Sequence, residues 1–269
     1  MTPFAPPSPD DASLAADLAE LRTAAPAAIL PRTLVEVGLA DAYGSIPSPI
    51  GPLWVAFNGL GVVTVEEASE RASFEARHVA RFGRPAHPVA ALPTRLAGSI
   101  DRRLGGDRRV RIPLDLRGRT EFERDVWMKA LEIPRGEVRP YGWIAAEIGR
   151  PRAVRAVGTA LGHNPVPLIV PCHRVVRSDG MIGNYSLGGP ANKRTILSAE
   201  GLDPDELERL ARAGIRYIGS DTTRIYCLPS CHHARRIDER HRVPFRSADE
   251  GERHGYRACR VCRPTAAAA

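Results

Sequence analysis

The chain has 269 residues, 43% of them hydrophobic, with 24 prolines and 24 glycines, which suits one large domain or two to three small ones with several tight connections. No run of about 18 apolar residues occurs and no basic flank precedes an apolar stretch at the N-terminus, so a membrane span and a signal peptide are not expected and a cytoplasmic, monomeric protein is. The formal net charge of +7 points to a polyanionic partner, and five cysteines without a secretion signal argue against a disulfide framework.

Residues 1–30 read as a mobile, Pro- and Ala-rich segment with a short helix near Ala12 to Arg22. Residues 31–117 read as an α/β domain. LVEVGLADAYGSI and PLWVAF look like strands, and Asn58-Gly59 joins the latter to LGVVTVEE as a tight hairpin. Helices follow over Glu70 to Arg81 and Thr94 to Leu104, then a strand leads into Pro113.

The character changes after Gly118, and residues 118–201 form a second, mainly helical domain. Thr120 followed by Glu123 makes a capping box at the head of EFERDVWMKALEI. YGWIAAEIG and RAVRAVGTALG are two short helices across a Gly-Arg-Pro turn, the outline of a helix-turn-helix. This pair lies within residues 148–178, which hold Arg150, Arg152, Arg155, Arg174 and Arg177 and no acid. A solvated face usually mixes signs, so a nucleic-acid surface is the better reading. KRTILSAEG closes the domain near Gly201, and residues 202–216 form a linker helix.

Cys172 stands alone in IVPCHRVV, where Pro171 breaks a buried-looking strand one residue before the thiol. A lone cysteine is most often a small buried hydrophobe. Here His173 and Arg174 offer a base and a charge. Neighbours on an extended strand point to opposite faces, so coupling Cys172 to His173 needs an intervening water or a sharp turn at Pro171.

IVPCHRVV resembles the active-site motif of the 6-O-alkylguanine-DNA alkyltransferases, the methylated-DNA–protein-cysteine methyltransferases. FERDVWMKALEIPRGEVRPYGWIAAEIG, RAVGTALGHNPVPLIVPCHRVV, SDGMIGNYSLGG and NKRTILSAEG resemble successive segments of that family, and residues 34–117 resemble its N-terminal α/β domain more loosely. The resemblance implies a ribonuclease-H-like N-terminal domain and a helix-turn-helix that binds double-stranded DNA carrying alkylated bases. It implies irreversible, single-turnover transfer of an alkyl group from 6-O-alkylguanine, and from 4-O-alkylthymine, to Cys172. The helix from Ala153 to Gly162 would enter the minor groove, with Arg152, Ala153, Gly158 and Arg174 on the DNA side and Arg155 in the space of the flipped nucleotide. Tyr141 would donate to the base, and Asn164 would tie the recognition helix to the active-site strand. His173 and Glu200 would relay the thiol proton through a water. Tyr185 and Pro167 would line the alkyl pocket, with Ser186 and Lys193 near the base's 6-O. NYSLGGP carries one residue more than the family pattern, which bears on Ser186.

Cys227/Cys231 and Cys259/Cys262, C-x3-C and C-x2-C separated by 27 residues, have zinc-ligand spacing. Residues 217–265 resemble the metal-binding module of the bacterial adaptive-response protein Ada, and ten arginines against five acids surround the cysteines between Arg224 and Arg263. The resemblance implies Zn2+ as the cofactor and Cys227 as a second acceptor, taking methyl from DNA phosphotriesters. Arg224 stands where the module's pattern has a glycine, the module follows the alkyltransferase region instead of preceding it, and no activator region comes after it in this chain. Self-induced transcription is therefore not expected. A module that only holds DNA, or an alkylated-DNA sensor, is the alternative. The module is expected to unfold by itself on metal removal, leaving the other domains intact.

Overall fold

A computed structural model describes residues 29–264, so the expected helix near Ala12 lies outside the described residues. The first element is a helix, α1 (Ile29–Glu36), where the sequence reading begins a strand at Leu34. The Leu34 carbonyl accepts the amides of Leu39 and Ala40 at 2.8 and 3.0 Å, and Gly38 at φ 73° turns the chain, so β1 starts only at Asp41 (Asp41–Ile46). With β2 (Leu53–Asn58), β3 (Gly61–Glu67) and β4 (Ala86–Pro88) it forms a sheet ordered β3-β2-β1-β4, in which β1 runs antiparallel to β2 and parallel to β4. Helices α2 (Arg71–Phe82) and α3 (Thr94–Leu104) match the expected ranges closely.

The β2–β3 hairpin turns one residue later than expected. Asn58 pairs with Gly61, leaving Gly59 and Leu60 in the loop. A Cβ on Gly59 would lie 1.9 Å from the Glu36 carbonyl, so only glycine fits against α1. Asn58 serves the core instead, donating to Asp41 at 2.7 Å and Asp115 at 2.8 Å. Those buried carboxylates also hold His78, Arg84 and Arg117. The strand expected before Pro113 reduces to a single bridge between Val62 and Leu114; Pro113 accepts from Val62 at 2.9 Å but has no amide with which to extend the ladder.

The helical region opens with α4 (Glu121–Ala130). Its capping box is complete: Thr120 Oγ1 accepts from the Glu123 amide, and Glu123 accepts from the Thr120 amide. Then come β5 (Arg139–Pro140), α5 (Tyr141–Glu147), α6 (Val154–Gly162), β6 (Val175–Val176) and α7 (Gly189–Ala199). Trp127 of α4 is fully buried and donates its indole proton to the Ala160 carbonyl at 2.8 Å, fixing α4 against the end of α6. One apolar cluster runs from Leu53, Val55 and Val65 of the sheet through Trp127, Ile144 and Val157 to Val170 and Cys172. The sheet edge also meets the loop that leads to Cys172 through polar bonds: the Pro165 carbonyl accepts from both Thr64 Oγ1 and the Val65 amide at 2.8 Å.

Helix α8 (Pro204–Arg212), capped by the Asp203 carboxylate, leads into a second sheet ordered β10-β8-β7-β9. Its strands are β7 (Tyr217–Ser220), β8 (Ile225–Cys227), β9 (Arg242–Phe245) and β10 (Arg257–Ala258), with short helices α9 (His232–Arg235) and α10 (Ala248–Arg253) beside them. Arg224 sits at φ 53°, a left-handed conformation that glycine adopts without strain, which accounts for the glycine in the Ada pattern. Its guanidinium lies 5.1 Å from the centre of the Tyr256 ring, a cation–π contact available to arginine and not to glycine.

This sheet is not a free appendage. Val138 donates to Ser230 Oγ at 2.9 Å and accepts from it at 3.1 Å, and Trp143 Nε1 donates to the Cys262 carbonyl at 3.0 Å. The expectation that the module unfolds without consequence for its neighbour is therefore at odds with the contacts. Among the described residues, no helix is long and apolar enough to cross a membrane.

Candidate active site and metal centre

The thiol is presented by two consecutive tight turns. Pro171 adopts φ −81°, ψ 62°, and the Cys172 amide donates back to the Val170 carbonyl at 2.8 Å, an inverse γ-turn. Cys172 to Arg174 then form a single 3-10 turn, closed by the Arg174 amide on the Pro171 carbonyl. The sharp turn at Pro171 is thus present, and the chain is not extended where Cys172 and His173 meet. Leu168, at φ 70°, supplies a third unusual backbone position just upstream.

Burial pushes the Cys172 thiol up, against the opposing effects of an Asn164 hydrogen bond and the Lys193 charge. The resting group is consequently a thiol that needs a base. Asn164 donates to Cys172 Sγ at 3.1 Å and to the Val170 carbonyl at 3.0 Å, while its Oδ1 accepts from the Val166 amide at 3.0 Å. Every polar atom of this amide is committed to shaping the loop around the sulfur.

His173 is fully buried, and Nε2 lies 3.0 Å from Glu200 Oε1. Burial works against the charge on Glu200, yet hydrogen bonds from His173 and Arg174 hold its carboxyl down at about 2. An acceptor-only carboxylate places the ring proton on Nε2. Burial also pushes His173 down despite Glu200, so the imidazole is neutral. Nδ1 then carries a lone pair and has no hydrogen-bond partner among the described residues. A buried, unpartnered basic nitrogen next in sequence to a buried thiol is the chemical core of the site.

Lys193 is wholly buried, its ammonium donating to the Val175 carbonyl at 2.6 Å and the Asn184 carbonyl at 3.3 Å. Desolvation pulls it down to about 8, partly offset by the Cys172 charge. It pins the strand after the thiol and supplies positive charge nearby, a part that the sequence reading had given to Arg174. Arg174 requires a correction: it is buried, bonds Glu200 through Nη2 at 2.6 Å and Nε at 3.0 Å, and donates to the Ile133 carbonyl at 2.8 Å. A guanidinium so committed cannot lie on a DNA-facing surface. Its neighbours in the acid-free segment disguised it, because a run of arginines looks uniform until Glu200 folds back onto one of them.

The Tyr185 ring stands edge-on to His173 with centroids 6.2 Å apart, and its hydroxyl is buried without a partner among the described residues. Burial and the Cys172 charge push both Tyr185 and Tyr141 upward, so both phenols stay protonated and close enough to the sulfur to feel it. Tyr141, the first residue of α5, faces Gly158 of α6: a Cβ there would lie 4.0 Å from the Tyr141 ring. Arg152 and Arg155 are exposed, while Ala153 and Gly158 are partly exposed beside them. Pro167 and Ser186 share with Asn164 the wall of an open hollow of about 710 Å³, which does not include Cys172. Ser186 is exposed.

In the C-terminal sheet, Cys227 ends β8, Cys231 precedes α9, and Cys259 and Cys262 follow β10. All four are buried, and their sulfurs lie within 4.8 Å of one another. Hydrogen bonding among the sulfurs pushes Cys227 up and Cys231 down, a conflict that a divalent cation held by four thiolates removes. The donor set fits tetrahedral zinc. His233 and His241 lie outside the set, the latter on Asp221 at 2.9 Å. His232 is partly buried and meets the Glu137 carboxylate at 3.0 Å.

A buried cysteine followed by a buried histidine that is held by a carboxylate, near two short helices with exposed arginines, together with a cluster of four cysteines, fits a nucleophilic-cysteine protein of the DNA-binding class. Residues 121–202 match the family model for the 6-O-methylguanine DNA methyltransferase DNA-binding domain, and residues 209–265 match that for the metal-binding domain of Ada. The methylated-DNA–protein-cysteine methyltransferase of Mycobacterium bovis is 40% identical over 159 residues, covering 59% of this chain and 91% of the relative. That of Salmonella typhimurium is 36% identical over 160 residues, covering 58% and 93%. A crystal structure of Mycobacterium tuberculosis OGT in complex with DNA superposes with a TM-score of 0.48 at 34% identity, covering 62% of this chain and 98% of that one. The chain belongs to the methylated-DNA–protein-cysteine methyltransferase family, and its C-terminal module is an Ada-type zinc-binding domain.

Proposed function

We propose that the protein repairs double-stranded DNA by moving a methyl or larger alkyl group from the 6-O of guanine, or the 4-O of thymine, irreversibly onto Cys172. The observation that carries this reading is the neutral His173, with Nε2 held by the Glu200 carboxylate and Nδ1 unpartnered beside a thiol that burial keeps protonated. In the proposed step Nδ1 takes the thiol proton, through a water. The sulfur attacks the alkyl carbon, the C–O bond breaks as the S–C bond forms, and the guanine that leaves gains one proton. The net change is alkylguanine plus thiol to guanine plus thioether. Asn164 and Lys193 stabilise the developing sulfur charge, and Tyr141, a protonated phenol, donates to the base. Tyr185 and Pro167 border the alkyl group.

The pair α5 and α6 acts as a helix-turn-helix beside an N-terminal domain of ribonuclease-H-like type. Ala153 and Gly158 allow close approach of α6 to the minor groove. Exposed Arg155 fills the place of the flipped nucleotide, and Arg152 contacts the backbone. The protein acts as a cytoplasmic monomer and is spent after one turnover.

For the zinc module, a working acceptor is favoured over a mere DNA grip by one observation. Cys227 lines a hollow of about 460 Å³ together with Cys259, Asp238 and exposed Arg236, Arg257 and Arg260, and none of these arginines makes an ion pair among the described residues. Such a hollow suits a phosphotriester whose methyl is presented to a metal-held thiolate.

Peptide mass spectrometry after incubation with duplexes carrying 6-O-methylguanine tests the main reading. A methyl group is expected on the Cys172 peptide, and none in Cys172→Ala, which should still bind the damaged duplex. Transfer persisting in that variant would overturn the assignment. The same experiment with phosphate-methylated DNA should label Cys227 alone among the four zinc ligands; no label, with zinc bound, would leave the module only a DNA-holding role.

A further inference from the structure

We infer that the zinc module is a working part of the alkyl-transfer site, with Ser230 and His232 as positioning residues that hold the 136–139 segment and, through it, Glu200 and His173. The inference rests on the reading of Cys172, His173 and Glu200 given above.

The segment has the module on one side and the proton relay on the other. On the module side, Ser230 exchanges two hydrogen bonds with the backbone of Val138, and both residues are buried. His232 donates its amide to Glu137 Oε1 at 3.1 Å and meets the same oxygen through Nδ1 at 3.0 Å. The other oxygen of Glu137 takes Arg139 at 2.6 Å, so this 2%-exposed carboxylate bridges module and strand. Ser230 and His232 flank Cys231, a metal ligand, so their placement depends on the geometry of the sulfur cluster.

On the relay side, the Gly136 amide donates to Glu200 Oε2 at 3.1 Å, and Arg135 donates to the Glu200 carbonyl at 3.2 Å. Gly136 is at φ 72°, and a Cβ there would lie 2.8 Å from the Glu200 carbonyl, so the backbone itself packs on the end of α7. Glu200 then orients His173. One step further along, Arg139 and Pro140 pair in parallel with Val175 and Val176, which directly follow the Cys172–Arg174 turn. The segment touches the relay at both ends: through the Glu200 carboxylate and through the strand that anchors the thiol turn.

Separations of 92 residues between Ser230 and Val138, and of 95 between His232 and Glu137, mean that only the folded module can make these bonds. Removing them frees the segment without touching any reacting atom. Small misplacements of catalytic groups cost on the order of a hundredfold in rate per ångström. Loss of the serine bonds, with Glu200 still held by Arg174, should cost less, roughly tenfold.

The test uses the full zinc-loaded chain and 6-O-benzylguanine as a free base, which needs no DNA and so removes any contribution of the module to DNA binding. Single-turnover alkylation of Cys172 separates the reactive fraction from the rate constant. Ser230→Ala is expected to lower the rate constant roughly tenfold while metal content and reactive fraction stay as in the parent, and Ser230→Thr, which keeps the hydroxyl, should restore most of it. The ring nitrogen resonances of His173 should move in Ser230→Ala and return in Ser230→Thr; a role confined to stability would leave them unchanged. If Ser230→Ala loses zinc or fails to fold, the parent protein stripped of metal by a chelator takes its place, with the same fall in rate constant and the same His173 displacement expected. An unchanged rate constant with unchanged His173 resonances overturns the inference. No alkylation of Cys172 in the parent would instead sink the underlying reading of the site.

Discussion

Asn164 and Cys172 are joined by a hydrogen bond from Nδ2 to Sγ at 3.1 Å, and the same nitrogen holds the Val170 carbonyl one residue before the Pro171 turn. The amide therefore sets the position of the sulfur and the shape of the loop that carries it. Asn164→Ala removes both bonds and the one that Oδ1 accepts from Val166. Stability is expected to fall by about 1–3 kcal/mol, because buried backbone groups lose their partners. The single-turnover rate should fall roughly 10- to 100-fold, since a donor to a developing thiolate is lost. Denaturant midpoints and quenched-flow alkylation measure the two effects separately.

Glu200 gives a pH dependence of defined sign. Its folded-state carboxyl is held at about 2, below the ordinary 4.5, so the stability it contributes is fully present above about pH 4.5 and is lost as pH falls toward 2. The difference corresponds to about 3 kcal/mol. Unfolding free energy of the parent should drop across that window, and Glu200→Gln should remove this component of the acid sensitivity while weakening the protein at neutral pH. A parallel pH profile in the two proteins would contradict the pairing with His173 and Arg174.

Arg155 is exposed on α6, while Cys172 and His173 are buried, so its loss should not touch the chemistry. Arg155→Ala is expected to slow repair of a duplex by more than tenfold while leaving alkylation by free 6-O-benzylguanine within about twofold of the parent, because a free base needs no flipping. Equal losses on both substrates would assign Arg155 to folding or chemistry.

The four cysteines form part of the apolar core of the C-terminal sheet, together with Tyr226 and Phe245. Purified, reduced protein should carry one equivalent of zinc, and Cys262→Ser should reduce its affinity sharply. Chelation should abolish protection of the β7–β10 amides in hydrogen exchange. The Val138 amide and the Trp143 indole proton should become more labile too, since their partners, Ser230 and the Cys262 carbonyl, belong to the module.

Local grammar made much of this legible. The Thr120–Glu123 box, the α3 boundaries, the proline turn and the cysteine spacing are all short-range signals, and each has its counterpart in the structure. What stayed hidden depends on distant partners. Leu34 and Val35 read as strand because β-branched and apolar residues alternate there, but their carbonyls are taken by Ala40 and Gly59 and the segment ends a helix. Arg174 looked like one of several surface arginines until Glu200, 26 residues on, buried it. Asn164 gave no sign that its amide reaches a sulfur, since the turn that brings them together depends on Leu168 and Pro171. Nothing in a serine preceding a zinc ligand announces a partner 92 residues away.

The paired bonds between Ser230 and Val138 bear on what a chain without the module would be. Cut away the module, and the Val138 amide and carbonyl and the Trp143 indole lose their partners at once, while the Glu137 carboxylate keeps only Arg139. Deleting the domain would leave a protein with unpaired polar groups where β5 meets solvent. The dependence on the module is thus written into Glu137, Val138 and Trp143, which lie on the alkyltransferase side of the contact.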